Sequence, residues 1–205
     1  MDEFKEEEVP VKKTWSMSLI GPTNLKKFYA ITGRSESDVK MLANAIGAAT
    51  ARSGATLNVI FNYAGMIELV GEAHKANGGK LRMLYTDNTE KPSDWDSAPY
   101  ISNLSRVSEK VKFGSWHETL LSLVSESEVI LCCGLSAGVY AELAYIKWNT
   151  VDHRGKVKKL IGIKEFLRTG DFPPEITMDL KEMITLTPAT ALAQVLEPWK
   201  TALEK

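Results

Sequence analysis

Residues able to do chemistry concentrate in EVILCCGLSAGVYAELAYIKW, residues 128–148. Ser136 brings a hydroxyl into the small-residue turn Gly134-Leu135-Ser136-Ala137-Gly138, and Glu142 brings a carboxylate into the helical pattern that follows. A turn of small residues opening a helix presents backbone N–H groups, and the helix dipole adds positive potential, so an anion such as phosphate is attracted there. Ser136 suits a phosphate contact and a helix N-cap, and one side chain can do both. No base pairs with it in the sequence, so a nucleophilic role is not expected. Glu142 reads either as a carboxylate near a helix start or as a wall of the anion site.

Other polar residues are weaker candidates. His117 titrates near neutral pH and suits an acid or base, or is a partly exposed histidine at a helix start. Asn24 and Asn62 end strand-like runs, where each either holds a turn or bonds a base or ribose. Trp95 and Tyr100 either stack on a planar ring or pack their own loop. Arg34 is the fixed cation nearest the turn Gly21 to Asn24. His74 reads as a surface residue beside Lys75, and His153 falls in a polar turn. These scattered histidines have no carboxylate or cysteine at ligand spacing, so no metal site is expected. Cys132 and Cys133 are neighbours on a strand and point to opposite faces, which reads as two small buried hydrophobes.

The elements that position these groups follow from apolar period and breakers. Strand candidates are Trp15 to Ile20, Phe28 to Thr32 (an alternative first strand), Leu57 to Phe61, Leu81 to Tyr85, Val129 to Cys133, Val157 to Ile163 and Met183 to Leu186. Between them, Val39, Leu42, Ala43 and Ile46 repeat at helical spacing after a Ser35 cap and stop near Gly54. Met66, Leu69, Val70 and Ala73 do so before Gly78-Gly79. Trp116 to Val124 and Val139, Leu143, Ile146 are further helical stretches. Thr187-Pro188 reads as a cap and first helical position for a closing helix to about Leu203. LSRVSEKVKF, residues 104–113, fits strand or helix equally, and 87–99 and 170–174 read as loops. Alternating strands and helices predict an α/β fold: a Rossmann-like three-layer sandwich with a mainly parallel sheet and helices on both faces. Three small-residue turns, Gly21 to Asn24, Asn62 to Gly65 and Gly134 to Gly138, then fall at carboxyl ends of strands, where such sheets bind ligands. The expected organisation is a charged tail over 1–14 and one domain over 15–205.

The segment GLSAGVYAE, Gly134 to Glu142, resembles the PGGxGTxxE signature of LOG-like proteins, with Gly138 and Glu142 at its last glycine and glutamate. Upstream, VIFNYAGMIELVGEAHKANGGKL resembles the same family's strand, glycine turn, G-[LV]-M helix and closing GG, through Gly65, Met66, Gly78 and Gly79. Asn62, the run Glu68-Leu69-Val70 and the turn Gly21-Pro22-Thr23-Asn24 are most similar to the branch containing molybdenum cofactor carrier proteins. The resemblance spans roughly residues 16 to 165 and implies a Rossmann-like domain of the SLOG superfamily. Departures accompany it: Leu135-Ser136 replace a double glycine, Val139 replaces a threonine, and Thr119 stands where LOG enzymes keep an arginine.

The resemblance implies a binding protein for a phosphate-bearing small molecule, a nucleotide or the molybdenum cofactor, and a homodimer, and the two unpaired cysteines suit a cytoplasmic setting. The implied ligand contacts are Gly21, Pro22, Thr23, Asn24, Asn62, Gly65, Met66, Thr119, Gly134, Leu135, Ser136, Ala137, Gly138 and Val139. Glu142 and, as a nearby acid or base, His117 are the candidate catalytic residues of the alternative reading, a LOG-type phosphoribohydrolase that cleaves the N-glycosidic bond of a nucleoside 5′-monophosphate and in which an arginine partners the glutamate. Without the arginine, Glu142 lacks its cationic partner, which leaves it uncertain whether the chain is an enzyme. A third reading is a degenerate Rossmann domain used for protein contact. Bulk composition bounds these choices. The chain has 205 residues, 44% hydrophobic and 25% charged, and a net charge of −1. That balance suits a globular protein and offers no field to draw in nucleic acid. No apolar run approaches a membrane span, and the acidic start MDEFKEEEVPVKK is unlike a secretory signal.

Overall fold

The computed structural model describes residues 15–86, 98–107, 109–151 and 155–201. Its centre is a seven-stranded sheet in the order β4-β3-β2-β1-β5-β6-β7. The strands are β1 Ser16–Ile20, β2 Thr56–Ile60, β3 Lys80–Thr86, β4 Glu109–Phe113, β5 Val129–Cys132, β6 Lys159–Ile163 and β7 Ile184–Thr187. Each neighbouring pair is parallel, with registers such as Ser18 beside Asn58 and Ile20 beside Cys132. The chain is therefore an α/β protein of the Rossmann-like kind. β2 and β5 are buried along their whole length, as expected of central strands covered on both faces. That is why they read in sequence as short unbroken apolar runs.

Parallel pairing requires long crossovers, and the helices supply them. They are α1 Leu25–Thr32, α2 Glu36–Arg52, α3 Gly65–Ala76, α4 Ala98–Ser105, α5 Trp116–Ser125, α6 Ala137–Val151, α7 Pro174–Leu180 and α8 Leu192–Thr201. Right-handed crossovers place α2 and α3 on one face, where α8 returns to pack on α2. α5, α6 and α7 form the layer on the other face. Strand order reverses between β1, which leads outward through β2, and β5, which leads outward through β6. That junction is the switch point at which such sheets bind ligands.

Caps explain most helix boundaries. Ser35 accepts from the Asp38 N–H at the start of α2. Ser115 and Glu118 form a reciprocal capping box at the start of α5. Asn24 Oδ1 accepts from the Lys27 N–H at 3.0 Å, and Gly33 closes the same helix in a left-handed conformation. These two residues decide the fate of Phe28 to Thr32. The run is the body of α1 and not an alternative first strand, because capped ends and a buried Phe28 favour the helix.

Other expectations are corrected in the same way. LSRVSEKVKF divides into the end of α4 and all of β4. The loop expected over 170–174 leads directly into α7, with Pro174 as its first residue, where a missing N–H costs nothing. Thr187 belongs to β7, Pro188 precedes a short 3-10 turn Ala189–Ala191, and the closing helix starts only at Leu192. His74 is not on the surface. It is 0% exposed, with Nδ1 2.9 Å from Thr50 Oγ1 and Nε2 3.0 Å from the Lys80 carbonyl. The ring thereby links α2, α3 and the start of β3. His153 and Trp95 lie outside the described residues, as does the side chain of Tyr100.

Candidate functional site

The three small-residue turns follow β1, β2 and β5, which are adjacent strands and not alternate ones. They also clasp one another. The Met66 N–H donates to the Pro22 carbonyl at 3.0 Å, joining the first turn of α3 to the turn after β1. Gly65 makes this approach possible. Its φ is +61°, and a Cβ there would lie 2.6 Å from the Pro22 carbonyl oxygen and closer still to that of Thr23. On the other side, a Cβ on Gly134 would fall 2.7 Å from Phe28 Cε2 and 3.2 Å from Pro22 Cδ. Gly21, Pro22, Gly65, Met66 and Gly134 are all buried in this contact. Their small size and special backbone serve turn-to-turn packing. Thr23 is half-buried, and Asn24 and Asn62 are exposed. Asn24 spends its side-chain oxygen on the cap of α1.

The start of α6 is different. Leu135 and Ser136 are half-buried, while Ala137 and Gly138 are exposed. The nearest neighbour of a Cβ on Gly138 would be Ser136 Oγ at 3.9 Å, so the space beyond is open. Ser136 Oγ accepts from the Val139 N–H at 3.3 Å, which makes Ser136 the N-cap. The N–H groups of Ala137 and Gly138 belong to the first turn, where a helix has no internal acceptor for them. Val139 itself is buried and anchors the helix to the core.

Gly134 to Gly138 also reads G-x-S-x-G between a strand and a helix, the spacing of a nucleophile elbow, a signal that sequence reasoning missed. The geometry does not develop it. The Ser136 hydroxyl accepts a capping bond, and among the described residues no histidine or carboxylate bonds to it.

Glu142 is only 4% exposed, and its Oε2 has no hydrogen-bond partner among the described residues. Burial pushes its carboxyl up to about 8. Cys132, at the end of β5, lies within its electrostatic reach and is itself pushed up to about 12, mostly by burial. A buried acid that keeps its proton near neutral pH can donate a hydrogen bond, which an ionised one cannot. Thr119 is fully buried, and its hydroxyl donates to the Ser115 carbonyl of its own helix at 2.9 Å. His117 is exposed on α5, whose first turn is fixed to β2 by Trp116 stacked edge-on against Phe61 at 4.8 Å. Arg34 donates through Nε to the Glu165 carbonyl at 2.7 Å. Among the described residues no group of three or more His, Cys, Asp or Glu could hold a metal ion. No helix among them is long and apolar enough to cross a membrane.

One cluster beside the turn after β2 joins Glu68 to residues that sequence reasoning did not single out. Tyr63 is buried, and its hydroxyl donates to Glu72 Oε1 at 3.0 Å. The Arg106 guanidinium lies 4.9 Å from the Tyr63 ring centre and pairs with Glu68 and Glu72 at 2.8 and 3.1 Å. Asn103 adds a bond from Nδ2 to the Phe61 carbonyl at 3.2 Å. The end of α4 is thus fastened to α3 and to the end of β2. Arg106 and Asn103 are some forty residues from Glu68 and Phe61, so no local spacing announces the link.

A parallel sheet with tightly packed turns at its switch point defines a protein of the Rossmann-like α/β class. Solved structures of that class align with nearly the whole chain. The molybdenum cofactor carrier protein of Chlamydomonas reinhardtii superposes with a TM-score of 0.58 at 16% identity, covering 94% of this chain and 100% of that one. The molybdenum cofactor binding protein of the phototrophic bacterium Rippkaea orientalis gives 0.58 at 15% identity, covering 92% and 99%. No family model and no curated protein matches the sequence. At these identities the likeness establishes the shared fold.

Proposed function

We propose that the chain is a binding protein for a phosphate-bearing, nucleotide-like small molecule, held at the switch point between β1 and β5. The observation that carries this reading is the start of α6. There Ala137 and Gly138 are exposed in the first turn, with open space around Gly138, and Gly134 at the foot of the same turn packs on Pro22 of the turn after β1. Ser136, Leu135 and Val139 shape that turn. Thr23, Asn24 and Asn62 border it, and Gly21, Pro22, Gly65, Met66 and Gly134 hold the turns together. The molybdenum cofactor is the first ligand to test, because proteins named for carrying or binding it share the fold across almost their full length. On this reading Glu142 is a buried, protonated group close to the ligand, with Thr119 and His117 on the neighbouring helix.

We carry the remaining expectations with it: one domain over residues 15–205, SLOG-type ancestry, a cytoplasmic setting and a homodimer. The phosphoribohydrolase reading has less support, since Thr119 replaces the arginine and its hydroxyl is committed to Ser115. The test is direct. The purified protein is denatured and the released small molecules are identified by mass spectrometry, and a panel of nucleotides and phosphorylated pterins is screened for a rise in melting temperature. A co-purifying phosphorylated ligand, or a saturable rise in Tm with one of them, supports the proposal. Neither appearing overturns it. Free base released from nucleoside monophosphates, and lost in Glu142→Ala, would move the chain to the enzyme reading.

A further inference from the structure

We infer that the cleft between the end of α2 and α8 is a second binding site, one that takes a small zwitterion of the α-amino acid class, the size of alanine. α2 ends at Arg52 and leads into β2 at Thr56, so the cleft lies towards the amino ends of the strands, away from the turns after β1, β2 and β5. Its volume is about 110 Å³. Ala49, Arg52 and Ser53 form the α2 wall, and Ala193, Leu196, Glu197 and Lys200 form the α8 wall. Both sets follow helical spacing, so each wall is one face of its helix. Packed helices ordinarily close their seam to the density of an organic crystal, and a space of this size is not left by packing alone.

The cleft is open and fixed for identifiable reasons. Ala49 and Ala193, one on each wall, are too small to fill it. A pair of indoles holds the walls in place. Trp15 Nε1 donates to the Ser53 carbonyl at 3.1 Å, and the Trp15 ring stacks on Trp199 of α8 with centroids 5.7 Å apart. One side chain therefore sets the position of both walls, and a preformed site avoids the entropy loss of ordering on binding. Ser53 commits its hydroxyl to the Thr50 carbonyl at 2.7 Å. Recognition falls to the charged side chains.

Those charges select the ligand. Arg52, Glu197 and Lys200 line the cleft, yet among the described residues none of the three forms an ion pair. Glu197 and Lys200 stand three residues apart on α8, the spacing at which Glu72 and Lys75 do pair on α3, at 3.4 Å. Two cations and one carboxylate around a partly apolar space match a ligand that carries a carboxylate and an ammonium group. The carboxylate suits Arg52 and Lys200, the ammonium suits Glu197, and a short aliphatic side chain suits Ala49, Ala193 and Leu196. A plain anion would meet repulsion from Glu197. Volume sets the size. A cavity of about 150 Å³ takes benzene, so this one takes about five or six non-hydrogen atoms, as in glycine or alanine.

Nuclear magnetic resonance titration of the isotope-labelled full chain tests the site, with the Trp15 indole N–H beside Ser53 as reporter. L-Alanine is expected to shift it saturably, with a Kd of about 10 mM or lower. Acetate and methylammonium, each with only one of the two charges, and inorganic phosphate are expected to bind at least about tenfold more weakly. Arg52→Gln and Glu197→Gln change exposed side chains, so the fold is expected to hold while each variant loses at least about tenfold in affinity. Ala193→Leu fills the space and is expected to abolish the shift without lowering Tm. No saturable shift with alanine or glycine overturns the site. Acetate or phosphate binding as tightly as alanine, or unchanged affinity in both charge variants, overturns the zwitterion assignment. Each of these results leaves the reading of the switch point standing.

Discussion

The Met66 backbone N–H donates to the Pro22 carbonyl across 3.0 Å, so the first turn of α3 hangs on the turn after β1. Gly65 is the residue that permits it, through a left-handed φ and the absence of a Cβ.

Gly65→Ala therefore combines backbone strain with a clash against the Thr23 and Pro22 carbonyls. The expected loss is at least about 2 kcal/mol, or a fall in Tm of roughly 5 °C or more. Gly138→Ala is the contrasting change. It meets open space on a helix, so it should stabilise by about 0.5–1 kcal/mol while crowding the proposed anion turn. Thermal denaturation and ligand titration of the pair separate packing from binding.

Ser136 can be tested without losing its cap. Ser136→Asp keeps an N-cap acceptor for the Val139 N–H and adds a negative charge beside Ala137 and Gly138. Stability should hold within about 0.5 kcal/mol, whereas affinity for a phosphate-bearing ligand should fall at least tenfold, an order-of-magnitude expectation from like-charge repulsion. Ser136→Ala should cost about 1 kcal/mol by cap loss. Calorimetric titration and denaturant melts check both. A serine-reactive phosphonate should leave Ser136 unlabelled, because no base among the described residues bonds to its hydroxyl.

Glu142 predicts how stability depends on pH. Its carboxyl is raised from 4.5 to about 8 by burial. The folded state therefore holds a proton that the unfolded state has released, so stability falls as pH rises from about 4.5 towards 8, by at most about 1.4 kcal/mol per pH unit. Glu142→Gln keeps the shape, removes this slope and should melt higher than wild type at pH 7.5. Urea denaturation across that window measures it. If Glu142 serves the ligand, the same variant binds more weakly.

His74 acts with the opposite sign. Its Nε2–H donates to the Lys80 carbonyl and its Nδ1 lies 2.9 Å from the Thr50 hydroxyl, which also donates to the Gly47 carbonyl, while burial lowers the ring from the ordinary 6.5. The folded state resists a proton that the unfolded state takes up. The stabilisation is therefore complete above about pH 6.5 and is lost as pH falls below it. Thr50→Val should cost about 1–3 kcal/mol by leaving the buried Nδ1 without the hydroxyl that faces it. A His74→Leu protein should lose the acid-side slope, as denaturation at pH 5 and pH 7.5 will show.

His74 also shows how far sequence patterns reach. It falls four residues after Val70, on the buried stripe of α3, so its position was legible although its polarity suggested the surface. α1 shows a different ambiguity. FYAIT suits a strand as well as a helix, and only the Asn24 cap and Gly33 stop distinguish them. Pro173-Pro174 was read as loop although a proline at the first helical position is permitted, and α7 was missed for that reason.

The sequence by itself determined the alternation of strands and helices, the parallel sheet, and the three turns that end β1, β2 and β5. These depend on local period, on caps and on glycine, which act between near neighbours. Tertiary structure alone decided that Gly21, Gly65 and Gly134 pack the turns together while Gly138 stays open. It also decided that Glu142 is buried with its Oε2 unpartnered among the described residues, that Arg106 clasps Tyr63, and that α6 is apolar on its outer side as well as its inner. Those facts arise from contacts between residues distant in the chain, and from which face of a helix the sheet happens to cover, and neither is written in local spacing.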